Sequence, residues 1–315
     1  MPAAGVHAHA AQIVGNEMRS LLFVPADGGK KLDKALASGA DAVIIDLEDS
    51  IAQDRKAEAR TTAAAFLIRA RESAGRPRLF VRVNGLATGL TDADLDAIVP
   101  ARPDAIVLPK AEGGTALTHA DAKLTAREAI AGLADGHVKI LAQAIETAAG
   151  IFLAGTFPGA SARLIGLTWG PEDLSAAIGA ETNRDAGGRL TEPCQLARSL
   201  CLFAAAAAEV IAVETVYVDF RDLDGLRRDT EQARRDGFSA RLAIHPAQVA
   251  VINEVFTPTP QALARARAIV SAFAAAPAAG VVAIGGVMYD RPHLVRAQRL
   301  LGKAGVRPAP APAPR

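Results

Sequence analysis

The sequence predicts one parallel (β/α)8 barrel followed by a short C-terminal extension. Apolar, β-branched runs of strand length recur along the chain, and helix-like segments separate them. Strict alternation of strands and helices indicates a parallel sheet, and eight such units is the number that closes a barrel. Several of these strands also end on charged side chains, which is where barrel enzymes place their active sites.

The individual elements agree with this alternation. The predicted strands span residues 20–25, 42–48, 79–84, 105–109, 138–145, 163–169, 215–220 and 241–245. The predicted helices between them include 30–38, 54–74 and 194–212. Gly39 follows the first of these, where it suits a left-handed cap. Pro171 opens the helix after strand six, where a proline sacrifices no hydrogen bond.

Beyond strand eight, residues 258–276 predict an extra helix, and 278–302 predict a hairpin and one more helix. This part is too small for a barrel unit and too apolar for a tail, so it must pack on its own barrel or on a neighbouring subunit. The predicted organisation is a flexible leader (1–18), a barrel (19–257), an extension with a lid (258–302) and a disordered Pro/Ala tail (303–315).

Composition narrows the class of protein. The 315 residues carry 35 Lys and Arg against 34 Asp and Glu, a net charge of +1, and only 4% aromatic residues. The chain therefore has neither the basic field nor the stacking platforms of a nucleic-acid-binding protein. A chain of this length buries roughly 75% of its unfolded surface, so it needs no disulfide or metal to fold.

Cysteine usage and hydropathy indicate a cytoplasmic protein. Cys194 and Cys201 are seven residues apart on a predicted helix, about 10 Å along its axis and beyond disulfide reach. Two free cysteines fit a reducing compartment. The most apolar stretch, 199–218, carries Glu209 and Glu214, where a membrane span should carry no charge. No secretory signal is predicted at the N-terminus.

Charged side chains stand at the carboxyl ends of successive predicted strands. They are Asp46, Glu48, Asp49, Arg82, Lys110, Glu146 and Asp173. Because these strand ends converge on one mouth of a barrel, the pattern predicts an active site there.

Glu146 and Asp173 are the candidate metal ligands. Two carboxylates on adjacent strand ends leave most of an octahedral shell open to water and substrate, as Mg²⁺ prefers in enzymes. No His/Cys cluster offers a zinc site. The alternative is that both acids are helix N-caps or first-turn acids.

Arg82 lies between Val81 and Val83 in an otherwise buried strand, so it needs a partner. Its planar fork suits a substrate carboxylate or an enolate oxygen. The alternative is a structural ion pair with Asp46 or Glu48. The two interpretations are compatible if those acids fix the arginine in place for the substrate.

Lys110 and His245 each allow two interpretations. Lys110 could form a Schiff base, but the acids favour metal chemistry and an ion-paired lysine in the barrel mouth. His245 could be a base, but a histidine before proline more often forms hydrogen bonds in a turn.

Six segments, in order along the chain, are similar to one known family. They are RSLLFVPADGGKKLDKALASGADAVIIDLEDSIAQDRKAEAR (19–60), FVRVNGL (80–86), VLPKAE (107–112), AIETAAGI (144–151), GLTWGPEDLSAAIGA (166–180) and AIHPAQVAVINEVFTP (243–258). They resemble the citrate lyase β-subunit-like proteins, CoA ester lyases of the HpcH/HpaI aldolase superfamily. The likeness runs over roughly 19–302.

The resemblance implies a Mg²⁺-dependent barrel enzyme that cleaves or forms a carbon–carbon bond beside a CoA thioester. Glu146 and Asp173 match the family's metal ligands, and Arg82 matches its substrate arginine. The segment 285–301 looks like the lid of malyl-CoA and citramalyl-CoA lyases, whose aspartate, here Asp290, is the acid/base group at a neighbour's active site. An oligomer, a homotrimer or homohexamer, is therefore expected.

The remaining site residues follow from the same comparison of motifs. Asp46, Glu48 and Lys110 are expected to surround and fix the reacting groups. Gly170, Pro171 and Glu172 are expected to bind substrate. Because Pro171 lacks an N–H, a bound carboxylate there must rely on the N–H groups of Glu172 and Asp173.

The predicted activity is cleavage or formation of a 3-hydroxydicarboxylyl-CoA, such as malyl-CoA or citramalyl-CoA, with a keto acid and an acyl-CoA as the other side of the reaction. Three alternatives stay open. They are a malyl-CoA-type thioesterase, a class II pyruvate aldolase acting on free hydroxy-keto acids, and a citrate lyase β-like or CoA-binding subunit.

Overall fold

A closed barrel of eight parallel strands organises the larger part of the chain. The computed structural model describes residues 18–305. The strands follow one another around the barrel in chain order, and the first pairs with the last through Leu21 and Leu242. The predicted (β/α)8 barrel is therefore confirmed. Most of the predicted leader and tail, 1–17 and 306–315, lies outside the described residues.

The barrel strands and the later hairpin are bounded as follows. The strands are β1 Ser20–Pro25, β2 Ala42–Asp46, β3 Arg78–Arg82, β4 Ala105–Leu108, β5 Lys139–Ile145, β6 Leu164–Trp169, β7 Ile211–Glu214, β8 Ala240–Ala243, β9 Val281–Ile284 and β10 Val287–Asp290. The helices are α1 Gly29–Leu36, α2 Lys56–Ala70, α3 Thr91–Ile98, α4 Gly113–Ile130, α5 Ala148–Leu153, α6 Pro171–Ala177, α7 Glu192–Ala207, α8 Leu223–Asp236, α9 Pro246–Phe256, α10 Pro260–Ala275 and α11 Arg291–Lys303.

The seventh strand corrects the sequence prediction. The prediction over 215–220 is wrong, since β7 spans Ile211–Glu214. Helix α7 stops at Ala207, and Glu209 then adopts a left-handed φ of 56° that turns the chain into the strand. Alanine-rich sequence continued the helical pattern past this turn, and the apolar residues of 215–220 belong to the loop after the strand.

The barrel strands are buried on both faces, which explains their continuous apolar sequences. All five residues of β2 and all four of β4 are buried. Their carboxyl ends open on the loops that follow each strand, so polar residues at those ends meet at one mouth.

The chain divides into two compact units, one over Met18–Phe256 and the other from Thr257 onward. The second contains α10, α11 and the β9–β10 hairpin, as the sequence predicts. Gly285 and Gly286 form the hairpin turn, with φ of 57° and 78° that glycine adopts readily. This unit has its own small core, which includes Phe273, Tyr289 and Leu301.

Cys194 and Cys201 are both buried on α7 and free, as predicted. Burial raises the pKa of the Cys201 thiol, so it stays protonated. Within residues 18–305, no helix has the length and apolar character needed to cross a membrane.

Candidate active site

A cavity of about 420 Å³ lies at the carboxyl ends of the barrel strands. Its walls come from β1, β2, β3, β5, β6 and β8, from the loops after them and from the loop after β7. The lining residues are Phe23, Pro25, Asp46, Asp49, Ser50, Arg82, Gln143, Glu146, Trp169, Gly170, Glu172, Asp173, Thr215, Val216, Leu242 and Ile244.

Glu146 follows β5 and is held by two neighbours. Its Oε2 accepts a hydrogen bond from the backbone N–H of Lys110 at 2.8 Å, and its Oε1 accepts one from the Gln143 amide at 2.8 Å. Burial chiefly raises the pKa of this carboxyl to about 8, and the charges of Asp173 and Glu48 add to the rise. Thr147, not Glu146, caps α5, so the N-cap alternative fails for Glu146.

Asp173 lies in the first turn of α6. This position agrees both with a metal ligand and with the alternative that Asp173 is a first-turn acid at a helix N-terminus. The Lys110 ammonium reaches both Asp173 Oδ1, at 3.3 Å, and Glu48 Oε1, at 2.8 Å. Burial alone would lower the lysine's pKa, but these carboxylates raise it. A lysine kept protonated is a poor Schiff-base nucleophile.

Lys110 contacts acids both through its backbone N–H and through its side chain, because its backbone has an unusual conformation. Its φ is 48°, in the left-handed region that non-glycine residues seldom occupy. In this conformation the N–H bonds to Glu146 and the side chain bonds to Glu48. Strained backbone of this kind concentrates at functional sites.

Arg82 ends β3 and is clamped by acids. Its Nε and Nη2 donate to the two oxygens of Asp46 at 2.7 and 2.6 Å, and Nη1 lies 2.8 Å from Glu48 Oε2. The guanidinium also lies over the Phe23 ring, 4.9 Å from its centroid. Burial raises the pKa of Asp46, but its pairing with Arg82 outweighs that effect and lowers it. The structural ion pair is thus present, and the clamp also fixes the guanidinium at the cavity wall.

A buried lysine supports the loop that carries these acids. Lys56 donates to the carbonyls of Leu47 and Glu48 and to the Asn84 amide oxygen, at 2.6–2.8 Å. Asn84 in turn donates to Leu47 O and to the buried Asp94. These bonds hold the backbone around Glu48 in place, and sequence reasoning did not identify them.

Gly170, Pro171 and Glu172 form the start of α6. A Cβ on Gly170 would stand 2.7 Å from Glu146 Oε1, so glycine leaves the space in which that carboxylate lies. Glu172 lines the cavity and accepts a long hydrogen bond from Asn183, and burial chiefly raises its pKa. Pro171 is buried and does not line the cavity.

His245 takes the turn role. Its Nδ1 accepts a hydrogen bond from the Ala247 N–H at 3.2 Å, and its ring stacks on Phe220 with centroids 4.8 Å apart. These contacts account for the histidine without a catalytic role.

Asp290 lies in the C-terminal unit. It ends β10, and its carboxylate caps α11 by accepting a hydrogen bond from the His293 N–H. The His293 ring nitrogen Nδ1 also contacts Asp290 Oδ1 and lowers the pKa of the carboxyl. Its ordinary form is therefore the carboxylate.

The electrostatics of the cavity fit a divalent cation. Five carboxylates and one arginine line it, and two carboxylates, Asp173 and Glu48, add to the effect of burial in raising the pKa of Glu146. Among residues 18–305 the buried Gln143 Oε1 has no hydrogen-bond partner, which leaves a further oxygen near Glu146. Within 18–305 no three His, Cys, Asp or Glu side chains group to hold a metal. Two carboxylates with a largely hydrated ion match Mg²⁺ better than zinc.

The structure therefore brings together most of the residues singled out in the sequence: Asp46, Glu48, Arg82, Lys110, Glu146, Gly170, Glu172 and Asp173. Sequence reasoning missed Phe23, Gln143 and Trp169 in the cavity wall. Gln143 carried a usable signal, since a polar residue inside an apolar strand needs a partner, as argued for Arg82.

This fold and site define the class: a (β/α)8 barrel with an acidic mouth, two carboxylates on adjacent strand ends and a clamped arginine. The model of the HpcH/HpaI aldolase/citrate lyase family matches residues 19–246. The chain belongs to this family.

Curated relatives and solved structures match nearly the whole chain. The (3S)-malyl-CoA thioesterase of Cereibacter sphaeroides is 36% identical over 288 residues, covering 91% of this chain and 94% of the relative. The mitochondrial citramalyl-CoA lyase of Mus musculus is 32% identical over 295 residues, covering 90% and 85%. The crystal structure of CitE from Mycobacterium tuberculosis in complex with magnesium, acetoacetate and coenzyme A is 31% identical, with a TM-score of 0.73, covering 91% and 98%.

Proposed function

We propose that this protein is a Mg²⁺-dependent CoA ester lyase. Its substrate would be a 3-hydroxydicarboxylyl-CoA such as malyl-CoA or citramalyl-CoA, which it cleaves to a keto acid and an acyl-CoA or forms from them. The observation that carries the proposal is the meeting of Glu146, Asp173 and Arg82 at one cavity. The relatives named citramalyl-CoA lyase and the CitE complex with magnesium and coenzyme A support it.

Glu146 and Asp173 are the residues that would hold Mg²⁺. When bound, the ion supplies a Lewis acid that polarises substrate oxygens and lowers the pKa of a hydroxyl. The chain's own preparation for it is the pair of hydrogen bonds from Lys110 and Gln143, which orient Glu146.

Arg82 would stabilise the charge that develops during cleavage. The substrate's hydroxyl would give its proton to water, its oxygen would become the keto group as the carbon–carbon bond breaks, and the electron pair of that bond would form the enolate of the acyl-CoA product. A guanidinium held by Asp46 and Glu48 needs no reorganisation to meet that oxygen. Preorganised donors of this kind contribute about 10²–10³ in rate.

Asp290 would exchange the proton at the enolate carbon. In the condensation direction its carboxylate removes this proton, and in cleavage its acid form returns it. We place it at a neighbouring subunit's site, so the working enzyme would be a homotrimer or homohexamer in the cytoplasm. Size-exclusion chromatography with light scattering tests the assembly, and a fully active monomer would refute it.

Asp290→Asn tests this role directly. Asparagine caps helices as well as aspartate, so the variant should fold with an unchanged circular dichroism spectrum. Its kcat should fall by about 10²–10⁴, the contribution of a general acid or base. Turnover at the rate of the unmodified enzyme would remove Asp290 from the mechanism.

A thioesterase is the second candidate, because the relatives that are 36% identical are named (3S)-malyl-CoA thioesterase. Such an enzyme would use the same metal-binding and anion-binding groups but would release free CoA by hydrolysis. The residues named here serve both outcomes, so product analysis must separate them.

The experiment is a panel of malyl-, citramalyl-, methylmalyl- and citryl-CoA, assayed with Mg²⁺ or with EDTA for keto acid and for free thiol. Keto acid without thiol, abolished by EDTA, supports the lyase. Thiol without keto acid supports the thioesterase. If neither product forms, both proposals are overturned, and the search moves to free hydroxy-keto acids or to a CoA-binding role.

A further inference from the structure

Gln143 is a buried glutamine with only half of its amide in use. It lies on β5, three residues before Glu146, and is 4% exposed. Its Nε2 donates to Glu146 Oε1 at 2.8 Å. Its Oε1 has no hydrogen-bond partner within residues 18–305, although the residue lines the cavity. Buried acceptors are seldom left unpaired, because the lost hydration is not replaced.

The amide cannot be satisfied by turning it over. As a metal ligand Glu146 must be ionised, and an ionised carboxylate only accepts hydrogen bonds, so the NH₂ end of Gln143 faces it and the carbonyl end faces away. The carbonyl therefore requires an O–H or N–H donor from within the cavity.

A second buried glutamine shows what a purely structural amide looks like. Gln248 is fully buried, and its Oε1 accepts from the N–H groups of Ile244 and His245 at 2.9 and 3.3 Å. Its Nε2 donates to Tyr217 O at 2.8 Å. Both ends are bonded to protein, whereas Gln143 bonds at one end only to the described part of the chain.

We propose that Gln143 is a positioning and specificity residue: its nitrogen orients Glu146, and its Oε1 accepts a hydrogen bond from an O–H group held at Glu146 and Asp173. This inference rests on the proposed function. Two sources supply that chemistry, namely the hydroxyl of the substrate and a water molecule that accompanies Mg²⁺. A site built to bond a hydroxyl disfavours a ligand that lacks it.

The test uses Gln143→Met, which keeps the length of the side chain and removes the amide, with Gln248→Met as the matched control. Trp169 is the chain's only tryptophan and lines the same cavity, so its fluorescence reports binding. Metal-free enzyme is titrated with Mg²⁺ alone. The Mg²⁺-loaded enzyme is then titrated with malyl-CoA and with succinyl-CoA, its analogue without the hydroxyl, both under conditions too brief for turnover.

The expected result is that Gln143→Met weakens Mg²⁺ binding about 10-fold or more, the usual loss for a partner of a metal ligand. A loss confined to Mg²⁺ alone identifies water as the donor. A reduced preference for malyl-CoA over succinyl-CoA identifies the substrate hydroxyl. Gln248→Met should lower the melting temperature and change neither measurement.

Two outcomes overturn the inference, and they differ from each other. If the unmodified enzyme responds to Mg²⁺ and Gln143→Met responds identically in both titrations, the role of Gln143 is refuted and the proposed function stands. If the unmodified enzyme shows no response to Mg²⁺ or to either CoA ester, the proposed function itself fails.

Discussion

Two arginines, the buried Arg163 and the partly buried Arg82, lie one at each end of the barrel and show how similar chemistry serves different purposes. Arg163 immediately precedes β6, and Arg82 ends β3, so they lie at opposite ends of the strands. Arg163 directs its N–H donors to five oxygens, those of Asp121, Thr125, Glu128, Asp135 and Val138. Arg82 makes N–H hydrogen bonds to Asp46, and its Nη1 lies beside Glu48 without hydrogen-bonding geometry.

The two arginines differ in how fully their N–H donors are bonded to protein. The guanidinium at the amino end is satisfied by protein and joins α4 to the start of β6. The one at the carboxyl end is fixed in orientation but keeps bonding capacity at a cavity wall. This contrast follows the general division of barrels into a stabilising face and a catalytic face.

The largest predicted effect is on stability at the amino end. Arg163→Met leaves Glu128, which is fully buried, without its cationic partner. Removing one partner of a buried pair typically costs about 3–5 kcal/mol. Urea unfolding should show this loss, while the specific activity of folded protein should stay unchanged. A comparable fall in activity at constant stability would break the comparison.

Arg82→Lys, at the carboxyl end, should reduce activity strongly and stability less. Lysine keeps the positive charge for Asp46 and Glu48 but lacks the planar fork, so stability should change less than in Arg163→Met. The loss of a preorganised donor should reduce kcat by about 10²–10³. Steady-state kinetics check this, and an unchanged kcat would assign Arg82 to structure alone.

Gly170→Ala should have a smaller effect, confined to Glu146. The added methyl would lie 2.7 Å from Glu146 Oε1 and 3.1 Å from its Cγ, so the carboxylate must move. Displacing this proposed ligand should weaken Mg²⁺ binding about 10-fold, near the lower end of losses seen when a ligand's support is disturbed. Calorimetry measures this. Gly155→Ala is the control, because a Cβ there meets nothing within 4 Å.

The smallest predicted effect is on how the free energy of unfolding depends on pH. Pairing with Arg82 lowers the pKa of Asp46 below its usual 3.8. A depressed carboxyl pKa contributes stability that is present above the unfolded pKa and is lost as pH falls through the folded one. Unfolding free energy should therefore decline below about pH 4, and Asp46→Asn should be less stable at neutral pH and decline less. An equal loss of unfolding free energy in acid for the unmodified protein and Asp46→Asn would contradict this.

The sequence was sufficient for the barrel because strand spacing and apolar runs are local signals. It was also sufficient to locate Glu146, Asp173 and Arg82, since charge at a strand end is visible without coordinates. It failed at β7, where the turn at Glu209 depends on a left-handed residue that is not glycine. No local pattern marks such a position.

Contacts between side chains that are distant in the sequence could not be predicted either. Lys56 lies on the buried side of α2 and reaches back to the loop before it, whereas its sequence context is that of an ordinary surface helix. The pairing of Phe23 with Arg82 joins β1 to β3 across an intervening strand. Such contacts depend on closure of the barrel and not on neighbouring sequence.

The Lys110 ammonium, between Glu48 and Asp173, acts as a built-in counter-ion. It neutralises part of the acidic mouth when no metal is bound, so the protein should tolerate chelators without unfolding. In the proposed metal site an incoming Mg²⁺ would compete with this lysine for Asp173, which would limit how tightly the ion is retained. In the proposed enzyme, catalytic rate would therefore rise and fall with the free magnesium concentration around it.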